Sequence, residues 1–147
     1  MKISNEQIDR YSGQINLKKI SVIGQEKLIN AKVLIIGIGG LGTPALSYLA
    51  RAGIEKFGIA DSDKVSLSNI HRQILFEKKD VGKLKTKIAK KKILKINKKI
   101  KVKEFVTNVN KKNIAKIIKN FDIILDCTDS FTSKLTINDA CLKQKKL

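Results

Sequence analysis

The sequence has no tryptophan, one proline, one histidine and two cysteines, and aromatic residues make up only 5% of it. With Pro44 as its only proline and no Ser-rich stretch, the chain shows no linker. One domain is therefore expected across residues 1–147, with N-terminal helices over 1–31 and a core over 32–147. Cys127 and Cys141 form no CxxC pair, which argues against a zinc site built within this chain. A reducing compartment disfavours a disulfide between them, so both read as ordinary small core or helix residues. No apolar run approaches the roughly 18–20 residues that span a bilayer, so no membrane partner is expected. Asn5, Glu6, Asp9 and Arg10 break up the start of the chain where a secretion signal would be apolar. A cytoplasmic protein is the expectation.

Acidic residues are also scarce: 13 against 31 basic ones, for a net charge of +18. Such an excess suits a phosphate-rich partner. Yet only Arg10, Arg51 and Arg72 are arginine, the residue that nucleic-acid readers favour for forked contacts. Aromatics for base stacking are few as well. The lysines alternate with Ile and Asn through the whole second half, as a general composition bias would place them. Nucleic acid is not expected as the main partner.

What is present is a regular alternation of strands and helices. Ser4 is placed to cap a short helix through Ile8 and Tyr11, and a second helix is expected over 22–30. Residues Lys32–Gly37 form a continuous apolar run without alternation, the pattern of a strand buried on both faces. A helix over Leu41–Ala52 follows, with Pro44 in its first turn and Gly53 ending it. Further strands are predicted at Lys56–Ala60, Lys101–Val106 and Asp122–Leu125. Helices are predicted near 83–97, over 110–120 and after Ser130. The expected fold class is α/β, a Rossmann-like doubly wound parallel sheet that reaches about four strands.

Gly37-Ile-Gly39-Gly40-Leu-Gly42 matches GxGxxG between a buried strand and a helix. The first glycine permits the tight turn, the second lets backbone N–H groups approach a phosphate, and the third lets the helix pack closely. The helix N-terminus adds partial positive charge. Asp61 ends the second strand, where a carboxylate can accept ribose hydroxyls. The motif does not separate NAD, FAD and ATP, which all present a ribose and phosphates.

The loop from Asp61 to Gln73 packs Asp61, Asp63, Asn69, His71, Arg72 and Gln73 into a short span, and long polar loops beside nucleotide sites are usually functional. Lys83 and Lys85 are expected on the first turn of the next helix, where cations oppose the dipole and call for an anion. Arg72 and Lys85 are the candidates for gripping a triphosphate, which favours ATP over a dinucleotide. Asp129, past the end of the fourth strand, is placed to hold Mg²⁺ against phosphates, or else merely to cap the last helix. Asp126 should lie on the buried strand, and His71 reads as a polar filler. An NAD-dependent oxidoreductase fragment and a non-catalytic basic nucleotide- or nucleic-acid-binding module are the competing readings.

Several segments together resemble the ThiF/MoeB/HesA family, bacterial relatives of the ubiquitin-activating enzymes. They are RYSGQINL, VLIIGIGGLG, IADSDKVSLSNIHRQILF, DVGKLK and ILDCTDS, in order along the chain. The resemblance implies an ATP-dependent adenylyltransferase that activates the C-terminal glycine carboxylate of a ubiquitin-like sulfur carrier, of the kind that serves thiamine or molybdopterin synthesis. It implies that Asp61 holds the ribose and that Asn69, Arg72 and Lys85 hold phosphates. Gln73 would support that site, and Asp129 would bind Mg²⁺. Two departures stand out. Where the family's RYxRQ segment carries a second arginine that reaches a partner subunit's ATP, this chain has Gly13, with Arg10 as the nearby substitute. The family's second half, with its zinc-binding CxxC pairs, carrier groove and sulfur-accepting cysteine, has no counterpart up to Leu147. The expectation is an incomplete domain, homodimeric at full length, with an open sheet edge.

Overall fold

A computed structural model describes residues 3–147. Ser4 does cap α1 (Asn5–Arg10), in a reciprocal capping box with Gln7. Two further helices, α2 (Ser12–Ile15) and α3 (Ser21–Asn30), precede the sheet. The strands are β1 (Lys32–Ile36), β2 (Lys56–Ala60), β3 (Lys101–Phe105) and β4 (Ile123–Asp126). Between and after them run α4 (Gly42–Ala52), α5 (Lys85–Ile96), α6 (Ile114–Ile118) and α7 (Phe131–Gln144).

All pairings are parallel and the strand order is β3-β2-β1-β4. The expected α/β fold with a parallel sheet covered on both faces is what the chain forms. Each apolar run alternates its side chains between the two faces. Val33, Ile35, Phe57 and Ile59 pack with Leu46 of α4 and with Ile88 and Ile93 of α5. Leu34, Ile36 and Ala60 pack with Ile117 and Ile118 of α6 and Ile137 of α7. Burial on both faces explains why these strands read as continuous hydrophobic runs. The chain reverses its winding between β1 and β4, and a doubly wound sheet opens a crevice at that switch point.

The two edge strands differ. On β3, Lys101 and Lys103 are exposed and charged, which blunts an edge against pairing. On β4 the edge is Ile-Ile-Leu, and the N–H of Ile124 donates to the carbonyl of Leu147 at 2.7 Å.

The N-terminal helices grip the core at polar points. Gln14 and the fully buried Gln25 both donate to the carbonyl of Ala52, at the last residue of α4. Arg10 donates to the carbonyl of Ile96, at the last residue of α5. Gly13, in the place of the family arginine, has open space around it. Among the described residues no helix is long and apolar enough to cross a membrane.

Three predicted boundaries need correction. Lys83 is not on the helix: it lies in a bend just before an antiparallel bridge between Lys64 and Leu84, and α5 begins at Lys85. The helix expected over 110–120 shrinks to Ile114–Ile118. Asn110 and Asn113 cause this, because their side-chain oxygens accept backbone N–H groups of 110, 112 and 113 and close local turns instead. The fourth strand is shifted one residue on, to include Asp126.

Candidate functional site

A cleft of about 1120 Å³ lies across the carboxyl ends of all four strands. It is large for a site holding one small molecule. Its floor is the glycine loop. Gly37 has φ +89°, and a Cβ there would stand 2.8 Å from the carbonyl oxygen of Cys127, so only glycine fits the turn against β4. A Cβ on Gly42 would come within 1.9 Å of the Gly37 oxygen. Gly42 thus seats the first turn of α4 on the loop and does not line the cleft. Gly39 and Gly40 do line it, and their missing side chains leave the backbone open to a ligand.

Asp61 braces this loop from the end of β2. Its Oδ2 accepts from the N–H of Ile38 and its Oδ1 from the N–H of Asp63, each at 2.7 Å. Such charge-assisted bonds are stronger than neutral ones. Each oxygen keeps a second lone-pair direction, so the carboxylate remains able to accept a ligand hydroxyl from the cleft.

The long loop after β2 is polar on one side and anchored on the other. Val65, Leu75 and Phe76 are buried in the core. Two short 3-10 turns, Leu67–Asn69 and Lys78–Asp80, shape the stretches between. The Asn69 carbonyl accepts from the N–H groups of Arg72 and Gln73, which turns both side chains to the cleft. Arg72 is exposed, lies over Gly40, and donates to the Ser68 carbonyl at 3.2 Å. Gln73 is 2% exposed and its Oε1 has no hydrogen-bond partner. A buried amide oxygen without a donor is costly unless something enters the site to supply one.

Lys85, the first residue of α5, is buried, with Nζ 2.8 Å from Oδ2 of Asp63. The anion expected beside a cation at this helix start is thus Asp63 within the chain. Lys83 points away, donating to the Lys79 carbonyl.

Across the cleft, the segment after β4 is shaped by Asp126. Its Oδ1 accepts from the N–H and the hydroxyl of Thr128, at 2.9 and 2.7 Å. Lys134 on α7 stands 3.7 Å from its Oδ2 and lines the cleft. Asp129 is exposed in the cleft wall. It is not a helix cap: Ser130 is, accepting from the N–H of Ser133 at 3.4 Å. Among the described residues no three His, Cys, Asp or Glu side chains are grouped so as to hold a metal. His71 is exposed and outside the cleft.

The two thiols are free and lie on opposite faces of the sheet, Cys127 against the α4/α5 core and Cys141 against the α6/α7 core. Burial, with the Asp126 carboxylate adding to it, pushes both above the ordinary cysteine value, the opposite of what a nucleophilic thiolate needs.

Cleft residues that sequence reasoning missed include Thr107, Asn108 and Val109 after β3, and Ser133 and Lys134 on α7. The position rule that singled out Asp129, a place just past a parallel strand's carboxyl end, applies equally to the β3 residues. Asn108 is tied to the second strand's end by the Ser62 hydroxyl at 2.7 Å. Lys134 carried no such signal, because it reads as one lysine among many.

The chain is similar to proteins already known. The ThiF family's sequence description matches residues 11–147. The chain is 46% identical over 144 residues to a probable molybdopterin-synthase adenylyltransferase of Porphyra purpurea, covering 98% of this chain and 38% of that protein. It is 35% identical over 142 residues to the sulfur carrier protein adenylyltransferase of Thermus thermophilus, covering 97% and 52%. Among solved structures it superposes on the E. coli tRNA N6-threonylcarbamoyladenosine dehydratase TcdA in complex with ATP, with a TM-score of 0.89 and 27% identity. That match covers 99% of this chain and 60% of TcdA. E. coli MccB with AMPCPP and MccA gives a TM-score of 0.86 and 32% identity over 94% of this chain and 43% of MccB. The chain thus spans about 38% to 52% of the length of these two curated relatives. It belongs to the ThiF family.

Proposed function

We propose that this ThiF-family chain is the nucleotide-binding part of an adenylyltransferase that uses ATP to activate the C-terminal carboxylate of a ubiquitin-like sulfur carrier. The observation that carries the reading is the convergence on one cleft of an open glycine-loop backbone, the Asp61 carboxylate and the cations Arg72 and Lys85. A dinucleotide has no need of two cations beyond the helix N-terminus, whereas a triphosphate does.

In this reading Asp61 receives the ribose hydroxyls on its remaining lone pairs. The N–H groups of Gly39 and Gly40, with the start of α4, face the phosphates. Arg72 and Lys85 hold phosphate oxygens, Asn69 and Gln73 complete that wall, and Asp63 contributes through Lys85. The carrier's terminal carboxylate attacks the α-phosphorus, an acyl-adenylate forms, and pyrophosphate departs. No side chain needs to act as a base, since the nucleophile is already an anion. The chain's contribution is alignment of the reactants and neutralisation of the charge that grows on the leaving pyrophosphate.

Mg²⁺ fits the residues present. A single exposed carboxylate, Asp129, suits an ion that keeps most of its waters and rides on phosphates. The unpartnered Gln73 oxygen can accept from such a water. When bound, the ion would supply charge neutralisation at the phosphates. A carrier ending in Gly-Gly, a homodimer at full length and a cytoplasmic setting belong to the same proposal.

The test is thermal protection. ATP with Mg²⁺ is expected to raise the melting temperature of the chain, and NADH is not. Protection by NADH alone would overturn the reading in favour of an oxidoreductase. A salt-sensitive affinity for RNA with no nucleotide protection would favour a basic binding module.

A further inference from the structure

Lys85 is at once buried and paired. Its side chain is 6% exposed, and the ammonium meets a carboxylate, Asp63, that is itself 64% exposed. The pair is fixed from both ends by the backbone. The N–H of Lys85 donates to the carbonyl of Asp63 at 2.9 Å, and the N–H of Asp63 donates to Asp61 at 2.7 Å. The result is a relay from the loop's brace, through Asp63, to the cation on α5. An ammonium buried to this degree is strongly disfavoured without a counter-ion. Yet a carboxylate in a triphosphate wall repels the ligand that the wall is built to receive. Both facts are satisfied if the carboxylate yields its partner.

We propose that Asp63 is a positioning residue that stands in for a phosphate: it holds Lys85 at the cleft while the site is empty and gives it up to the phosphate chain of an incoming nucleotide. The inference rests on the reading of the cleft as an ATP site. It adds that discrimination between long and short phosphate chains is set by an ion pair that must be exchanged. A nucleotide whose phosphates fall short of Lys85 leaves the pair intact. One whose phosphates reach it takes over the cation. The same pair keeps small free anions from occupying Lys85 in the empty cleft.

Asp63→Asn tests this, with ATP and AMP compared on the full chain. The variant is expected to melt lower than the parent without ligand. It should bind ATP about tenfold more tightly relative to AMP than the parent does, and show new protection by inorganic pyrophosphate. In a Lys85→Met background the Asp63→Asn change should have no effect on the ATP-to-AMP ratio. Equal loss of ATP and AMP binding would overturn the proposal and make Asp63 a loop brace. An unchanged ratio would overturn it too and make the pair a structural contact that no ligand exchanges. If the variant does not fold, ¹⁵N NMR of the Lys85 ammonium in the parent chain decides. The signal should move with ATP and hold still with AMP, and equal movement with both sinks the idea. A parent chain that responds to neither nucleotide would refute the ATP reading itself, and this inference with it.

Discussion

One wall of the cleft is made by backbone and the other by side chains. From Gly37 to Asp61 the lining is chiefly the backbone of the glycine loop, shaped by positions where a Cβ does not fit and braced by one carboxylate. From Asp63 to Lys85 and at Asp129 it is a set of charged and amide groups on a loop that Val65, Leu75 and Phe76 anchor in the core. The first wall cannot be altered without disturbing the fold, because its geometry is the geometry of β1, β4 and α4. The second can lose an exposed side chain such as Arg72 and keep its shape. Stability and ligand selection should therefore separate along this line.

The sharpest way to break that division is Gly42→Ala. A methyl placed 1.9 Å from the Gly37 oxygen must push α4 off the loop. A loss on the order of 3 kcal/mol is expected, read as a fall in the urea midpoint. Asp61→Ala comes next. It removes two charge-assisted hydrogen bonds to the loop backbone and should cost about 2 kcal/mol. Protection by ATP and by AMP should disappear together in that variant, as befits the wall that both nucleotides share. Equal loss of stability from an Arg72 change would erase the distinction.

Arg72→Ala sharpens it instead. The side chain is exposed, so stability should stay within about 0.5 kcal/mol of the parent. ATP affinity by calorimetry should fall about tenfold, or 1.4 kcal/mol, with AMP less affected. The smallest effect lies outside the cleft, in the 77–80 turn of the same loop. Hydrogen bonds and charge from Lys79 and Lys92 hold the Glu77 carboxyl down from 4.5 to about 2. Its folded value is depressed, so whatever it adds to stability is complete above 4.5 and is lost as the pH falls toward 2. Amide exchange in the 77–80 turn should quicken over that window while the glycine loop stays protected.

The first wall was nearly all legible in the sequence, because a glycine pattern between a buried strand and a helix leaves the backbone little choice. The sheet was legible for the same kind of reason: the apolar runs of β1, β2 and β4, which do not alternate, demand burial on both faces. What the sequence did not carry was the internal partner of each charged group. Asp61 and Lys85 could be named as ligand contacts from position alone. That Asp61 also bonds Ile38, and that Lys85 is already paired with Asp63, depends on distances between segments far apart in the chain. Asp126 was left without a task and turns out to shape the Thr128 turn. The shortened α6 and the exclusion of Lys83 from α5 were likewise hidden. Asparagine side chains and a bridge across the loop outcompeted helix propensity there.

Arg10, Gln14 and Gln25 have a mechanical meaning that none of them has chemically. They fasten the last residues of α4 and α5, while the first residues of the same two helices carry the glycine loop and Lys85. At 1.5 Å per residue these helices are rods about 16 and 18 Å long. Rods pinned at the heel transmit a push. The same two helices therefore tie the N-terminal layer to both walls of the cleft at once.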